Sequence, residues 1–215
     1  MKTSFVVLMS LIICSIIYPQ ASLNSQYALS FGIADNFRLD KFNFDIAAKK
    51  ILDENHQLRL FLSPSITSNN QEDKNNGSNY SQKNELLDYS LGVGADYLWI
   101  LIKNDEINMF GGTGLIFSFG RYNKKISTVF NNGTYINSEI SDPSTSIGIR
   151  GTLGVEWKVT NKIGIHSEYL FTGLYSWSKT ENKNSINGTD KPIEILTSSA
   201  VGLTSGVLFG VSIYF

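Results

Sequence analysis

Ten ionisable residues sit inside stretches that otherwise alternate large apolar with small or polar side chains: Asp45, Lys49, Arg59, Asp88, Asp96, Arg150, Glu156, Lys158, His166 and Glu168. Every one falls on the face opposite the large apolar residues. Leaving His166 aside, four are basic and five acidic, so their charges nearly cancel. Buried charges persist only when paired and hydrogen-bonded. If this face is an interior, the set is expected to form a salt-bridge network that fills it. The second chemistry open to the same residues is a narrow proton or ion path through the pairs. Their spacing does not fix which acid meets which base.

Other chemistry finds less support. The chain has two histidines, His56 and His166. His56 lies in a short polar link beside Glu54 and reads as a solvated residue. Ser167 follows His166 directly, and neighbours on a strand point to opposite faces, so the two cannot exchange a proton within the strand. His166 and Glu168 share a face, but the pair lacks a nucleophile. The only cysteine, Cys14, precedes the alternating region, so disulfide, thiol and cysteine–histidine metal chemistry are not expected. No glycine-rich loop opens a helix after a strand, which leaves phosphate binding unsupported. No enzymatic activity, cofactor or metal is expected.

The elements that must position the ten residues are strands. Eight segments alternate with a period of two: residues 27–34, 42–49, 58–67, 87–101, 109–119, 147–158, 163–177 and 202–215. In the last, Val207, Phe209, Val211, Ile213 and Phe215 make one face, and Thr204, Gly206, Leu208, Gly210, Ser212 and Tyr214 the other. Periodicity alone does not say which face is inside. The polar face is rich in glycine and alanine, as a crowded, narrow interior requires and a solvated exterior does not. Tyr97, Trp99, Trp157, Tyr175 and Trp177 stand near strand ends on the apolar face, where the girdles of a membrane barrel would lie. Both features put the apolar face outward, against lipid.

Connections follow a matching rhythm. Links after the second, fourth and sixth segments are short (Asp53 to His56, Lys103 to Glu106, Thr160 to Lys162), and those after the third, fifth and seventh are long (Ser68 to Lys83, Arg121 to Asp142, Lys179 to Lys191). Short turns alternating with long loops mark an outer-membrane barrel. Each long link carries Asn-Gly near its middle, at residues 76–77, 132–133 and 187–188. Such a pair favours a two-residue hairpin, so the strands are expected to continue beyond the lipid as protruding hairpins.

Lys2 and the apolar run Phe5 to Tyr18 have the layout of a secretory signal. Residues 1–21 are expected to be a cleaved signal peptide and residues 22–215 the barrel domain. Ile13 stands where a lipoprotein box would need a small residue before Cys14. A net charge of −1 and a mean hydropathy of −0.06 give no electrostatic case for nucleic acid. They exclude a helical membrane bundle without excluding a barrel, whose alternating strands average to neutral.

With its signal, alternation, loop asymmetry, the segment Gly154-Val155-Glu156-Trp157-Lys158 before a short turn, and the terminal Phe215, the chain resembles the small eight-stranded outer-membrane barrels of the OmpA/OmpX type. The resemblance covers nearly all of residues 22–215. It implies an all-β, eight-stranded antiparallel up-and-down transmembrane barrel in the outer membrane of a Gram-negative bacterium, with short periplasmic turns and longer extracellular loops. It also implies that the face Val207, Phe209, Val211, Ile213 and Phe215 is read by the barrel-assembly machinery. The third residue from the end is often Tyr in that family and is Ile213 here, with Tyr214 penultimate. The expected role is envelope structure or surface interaction through the loops, with a narrow porin-like channel as the alternative. The expected partners are outer-membrane lipid, the assembly machinery and a surface ligand, and the barrel is expected to be monomeric.

Overall fold

A computed structural model describes residues 26–34, 41–74 and 80–215. The expected signal peptide and the Asn76-Gly77 pair lie outside the described residues. The strands are β1 (Tyr27–Ala34), β2 (Lys41–Ile51), β3 (His56–Lys74), β4 (Tyr80–Lys103), β5 (Ile107–Phe130), β6 (Tyr135–Lys158), β7 (Ile163–Ile186), β8 (Thr189–Asp190) and β9 (Glu194–Tyr214). Sequential neighbours pair antiparallel from β1 through β7, β9 pairs with both β7 and β1, and the two-residue β8 folds back on β7. The wall is therefore a closed eight-stranded up-and-down barrel of β1–β7 and β9. Closure gives every strand two neighbours at the level of the β1–β9 seam, which lipid demands of any spanning backbone.

Register fixes the shape. Starting from Val211, the Cα partners run Phe31, Ile46, Leu62, Val93, Phe117, Ile147 and Tyr175, then return to β9 at Val201, ten residues before the start. A shift of ten residues over eight strands tilts them by roughly 40° and leaves a bore of about 8 Å radius, measured to the strand axes. That bore is filled by side chains. Every residue on this circuit is apolar and faces outward, and many stay exposed in the isolated chain, from Leu62 at 37% to Val201 at 78%. So much bare apolar surface wrapped around a closed wall is a lipid-facing belt. Trp99 and Trp157 edge it toward the short turns and Tyr175 and Trp177 toward the long hairpins, all exposed.

The turns are held by short polar side chains. Asn104 Oδ1 accepts from the backbone of Glu106 and Ile107, at 3.2 and 2.5 Å. Thr160 Oγ1 does the same for Lys162 and Ile163, at 3.1 and 3.0 Å, and Asp53 Oδ1 accepts from Asn55 N at 2.8 Å. Each is the local bond that lets Asn, Asp and Thr reverse a chain.

At the opposite end β4–β7 run to 24 residues each, far past the segments legible by alternation. The long links after the fifth and seventh segments are mostly strand. Pairing continues to Val129↔Tyr135 on β5–β6 and Ile186↔Thr189 on β7–β8. Asn187 and Gly188 have φ 50° and 78°, the two positive values of a two-residue Asn-Gly turn. At the other pair only Gly133 is positive, φ 84°, and the turn closes over three residues, with Phe130 N donating to Thr134 O at 2.8 Å, in place of the two-residue turn expected there. The protruding hairpins are thus present at both described Asn-Gly pairs. One irregularity departs from the simple pattern: β4 slips register between Ile100 and Ile102 against β5, ending the alternation at Leu101.

Above the belt the wall reverses its polarity. Outward positions now carry the cross-strand row Glu85, Lys125, Glu139 and Lys183, in which Lys125 Nζ lies 3.8 Å from Glu139 Oε1. By alternation the axis-facing positions of the same strands are Ile126, Ile136, Ile140 and Ile186. None of these four is fully exposed.

Candidate functional site

The lumen is built from residues on the small-polar face. Alternation turns Asp45 and Lys49 on β2, Arg59 on β3, Asp96 on β4, Arg150 and Glu156 on β6, and His166 and Glu168 on β7 inward, and all eight are buried. Apolar side chains on the same face pack among them: Phe61, Leu98, Phe110 and Leu208. Rings fit only where the facing wall has no side chain. A Cβ at Gly94 would overlap both the Phe61 ring and the Leu115 carbonyl, which is why this face is rich in glycine.

Cross-strand register assembles the pairs. Arg59, Asp96, Gly114 and Arg150 form one continuous row. Gly114 leaves open the space that a Cβ would share with the Asp96 carboxylate, so both guanidinium groups reach that carboxylate. Arg59 Nε donates to Asp96 Oδ2 at 2.9 Å, and Arg150 Nη2 donates to the same oxygen at 2.5 Å. Arg59 Nη1 also donates to both oxygens of Glu168, at 2.7 and 2.6 Å, and Nη2 to Thr152 Oγ1 at 3.2 Å. Arg150 Nη1 reaches Asp45 Oδ2 at 3.3 Å, and its guanidinium lies 3.2 Å from the Phe61 ring centre. Lys49 is the cross-strand partner of Arg59. Its ammonium turns away from that like charge, toward Glu156 Oε1 at 3.7 Å and Ser212 Oγ at 3.2 Å. Tyr214 Oη donates to Glu156 Oε2. His166 links the two halves, with Nδ1 3.2 Å from Ser212 Oγ and Nε2 3.6 Å from Glu168 Oε1. Asp45, Arg150, Asp96, Arg59, Glu168, His166, Ser212, Lys49, Glu156 and Tyr214 thus form one connected chain of charge and hydrogen bonds. Every cation in it touches at least one carboxylate, the condition for keeping charge in so little solvent.

Of the ten residues singled out in the sequence, two stand apart. Asp88 lies on the same face of β4 but beyond the filled length of the bore, where it is exposed. Lys158 ends β6 and lines a cavity at the turn end, half-exposed. Alternation assigns a face without saying how far along a strand the bore is filled. Ser30, Thr152, Ser212 and Tyr214 belong to the network and are not among the ten. The one sequence signal for them is their place on the charged face of their segments.

The missing nucleophile beside His166 also has a resolution. Ser212 comes from β9, where Gly210 is the cross-strand partner of His166, and with His166 and Glu168 it makes a serine–histidine–glutamate sequence. None of the three has more than 1% of its surface exposed. Ser30 Oγ at 3.0 Å and Lys49 Nζ at 3.2 Å also contact the Ser212 oxygen. The arrangement joins two salt-bridge clusters.

No family model matches the chain, and no curated protein matches it. Among solved structures it is similar to CarO of Acinetobacter baumannii, with 9% identity over 91% of this chain and 100% of that one, at a TM-score of 0.41. It is similar to a major outer membrane protein of Thermus thermophilus, with 10% identity over 88% and 98% and a TM-score of 0.43. It is also similar to Ail, the attachment invasion locus protein of Yersinia pestis, with 9% identity over 87% and 92% and a TM-score of 0.35.

Proposed function

We propose that this chain is an integral outer-membrane barrel of the bacterial envelope whose bore is closed by paired charges, serving envelope structure or surface interaction through its protruding hairpins. The observation that carries the reading is the division of the wall: an apolar belt outside, much of it exposed, and a connected, buried ion network inside. A soluble barrel would reverse that arrangement. In this reading the partners are outer-membrane lipid around the belt, the assembly machinery acting on the β9 face Val207, Phe209, Val211, Ile213 and Phe215, and a surface ligand at the hairpins. The barrel works as a monomer without cofactor, metal or catalytic step.

The test is ion conduction. Mature protein is refolded, its barrel confirmed by heat-modifiable gel migration, and single-channel current recorded across a planar bilayer. A silent membrane is the expected result. Discrete conductance steps that change on Arg150→Ala would instead establish the narrow channel, with the lumenal charges as its walls.

A further inference from the structure

Two outward-facing cations stand at the hairpin-side edge of the belt, and their cross-strand row holds no anion. On β5 the outward positions run Leu115, Phe117 and Phe119 and then reach Arg121; on β7 they run Tyr175 and Trp177 and then reach Lys179. Arg121 is the cross-strand partner of Tyr89 on one side and of Pro143 on the other. Lys179 follows Ser178, the partner of Ser144. The two cations therefore flank Pro143, about 10 Å apart at the backbone, which is two inter-strand spacings. All three side chains are exposed.

Arg121 is held in place without being neutralised. Ser141 Oγ donates to Asn123 Oδ1 at 3.1 Å, which turns the lone pairs of the hydroxyl to the guanidinium, and Arg121 Nε and Nη2 donate to that oxygen at 3.1 and 3.0 Å. Ser141 belongs to β6, so the guanidinium leans toward Lys179. Arg121 enters no ion pair among the described residues. Of the five N–H donors of a guanidinium, two go to Ser141 and three remain, including the Nη1–Nη2 edge that matches two oxygens of a phosphate. An arginine fixed in this way has lost side-chain freedom before any anion arrives. Lys179 Nζ has Glu181 Oε1 at 3.9 Å, an exposed contact of the kind that contributes little.

Directly below lies the lipid-facing belt. Phe119 is one outward position beneath Arg121, its ring edge-on to Phe117 with centroids 4.7 Å apart, and Trp177 is one outward position beneath Lys179. A ligand here meets cations at one end and bare aromatic surface at the other, the division of a lipid and not of a free anion.

We infer that Arg121 and Lys179, with Pro143 between them, form a binding site for the phosphomonoester headgroup of a lipid in the outer leaflet. A phosphomonoester carries about −1.5 to −2 charges at pH 7, which suits two cations. The guanidinium edge takes two phosphate oxygens, the ammonium a third, and the acyl chains descend over Phe119 and Trp177. The site rests on the envelope reading, which places lipid around the belt, and adds the headgroup and the residues that select it.

The test uses the mature barrel refolded into phosphatidylcholine vesicles, with Trp99→Phe and Trp157→Phe leaving Trp177 as the sole tryptophan. Lipids brominated on their acyl chains, phosphatidic acid or phosphatidylcholine at matched mole fraction, quench its fluorescence. Phosphatidic acid is expected to be favoured beside Trp177 by about five- to tenfold, while a barrel retaining only Trp99, at the turn end, should show no such preference. Arg121→Gln with Lys179→Gln should reduce the preference at Trp177 to the level at Trp99. Ser141→Ala keeps both charges and releases the guanidinium, and should lower the preference about twofold, a loss that diffuse attraction of anionic lipid would not show. Equal quenching by the two lipids in a parent whose heat-modifiable migration shows an inserted barrel, an unchanged preference in either variant, or displacement of the lipid by inorganic phosphate at equal concentration would overturn the site and leave the envelope reading standing. A parent that fails to insert would overturn both.

Discussion

Arg59 is the cation on which the network depends most, and replacing it gives a measurable cost. Its guanidinium makes both hydrogen bonds to Glu168 and one of the two to Asp96 Oδ2. In Arg59→Met, Asp96 keeps Arg150, while Glu168 keeps only the imidazole of His166, 3.6 Å away. One carboxylate is therefore left buried without a full countercharge, a defect that costs about 3–5 kcal/mol. With a urea slope of about 2 kcal/mol per molar, the unfolding midpoint should fall by roughly 2 M. Arg150→Met should cost less, because Asp96 then keeps Arg59 and the orphaned Asp45 retains 12% side-chain exposure. The assay is urea unfolding of barrels refolded in vesicles, followed by gel migration and by the fluorescence of lipid-facing Trp99, Trp157 and Trp177. The decisive comparison is Arg59→Met with Glu168→Gln, which removes the orphaned charge and should recover about half of the loss or more. A single variant costing under about 1 kcal/mol, or a double variant no better than the single, would refute the claim that these charges are paired out of solvent.

Three further outcomes are expected. Leu115→Arg, at a belt position 67% exposed, should destabilise the vesicle-inserted barrel by about 2–4 kcal/mol, whereas Lys125→Leu, on the same face of the same strand but above the belt, should cost almost nothing; equal costs would remove the belt. The Asp53 carboxylate is held below the usual carboxylate range first by the Asn55 N–H and then by His56. A depressed folded pKa means that the turn gains from ionisation above the unfolded value and loses it as pH falls through the folded one. A carboxyl titration by nuclear magnetic resonance should therefore show a midpoint below that of free aspartate, moving upward in His56→Ala. Amide exchange at Thr128 to Phe130 and Tyr135 to Asn137 should be slower than coil, and coil-like exchange there would contradict the hairpins.

The architecture is largely legible in the sequence because lipid and a narrow bore impose opposite demands on alternate residues. That contrast marks the eight segments, and Asp45, Lys49, Arg59, Asp96, Arg150, Glu156, His166 and Glu168 follow it inward. The pairs are not legible, since Arg59 meets Asp96 through a β3–β4 register that residue spacing does not fix, and meets Glu168 only across the bore of the closed barrel. Ser212 is invisible beside His166 for the same reason: the two are brought together by β7–β9 pairing, which local spacing cannot express. The hairpins are longer than the alternation suggests because, above the belt, Ile126 and Ile136 occupy the face that Gly114 and Arg150 occupy below it. The apolar phase slips by one residue, so a search for a single continuous alternation stops there.

That reversal of polarity acts as a depth gauge. Pushing the barrel toward the turn side would drag Glu85, Lys125, Glu139 and Lys183 into hydrocarbon, and pulling it the other way would draw Trp99 and Trp157 off the interface with the polar turns behind them. Both displacements are opposed, the first by charge and the second by the aromatic edge. The molecule is therefore pinned at one height to within about a residue or two of strand rise, some 3–6 Å, without an anchor outside its own wall. Hairpin tips held at a constant elevation above the bilayer present the same surface on every copy.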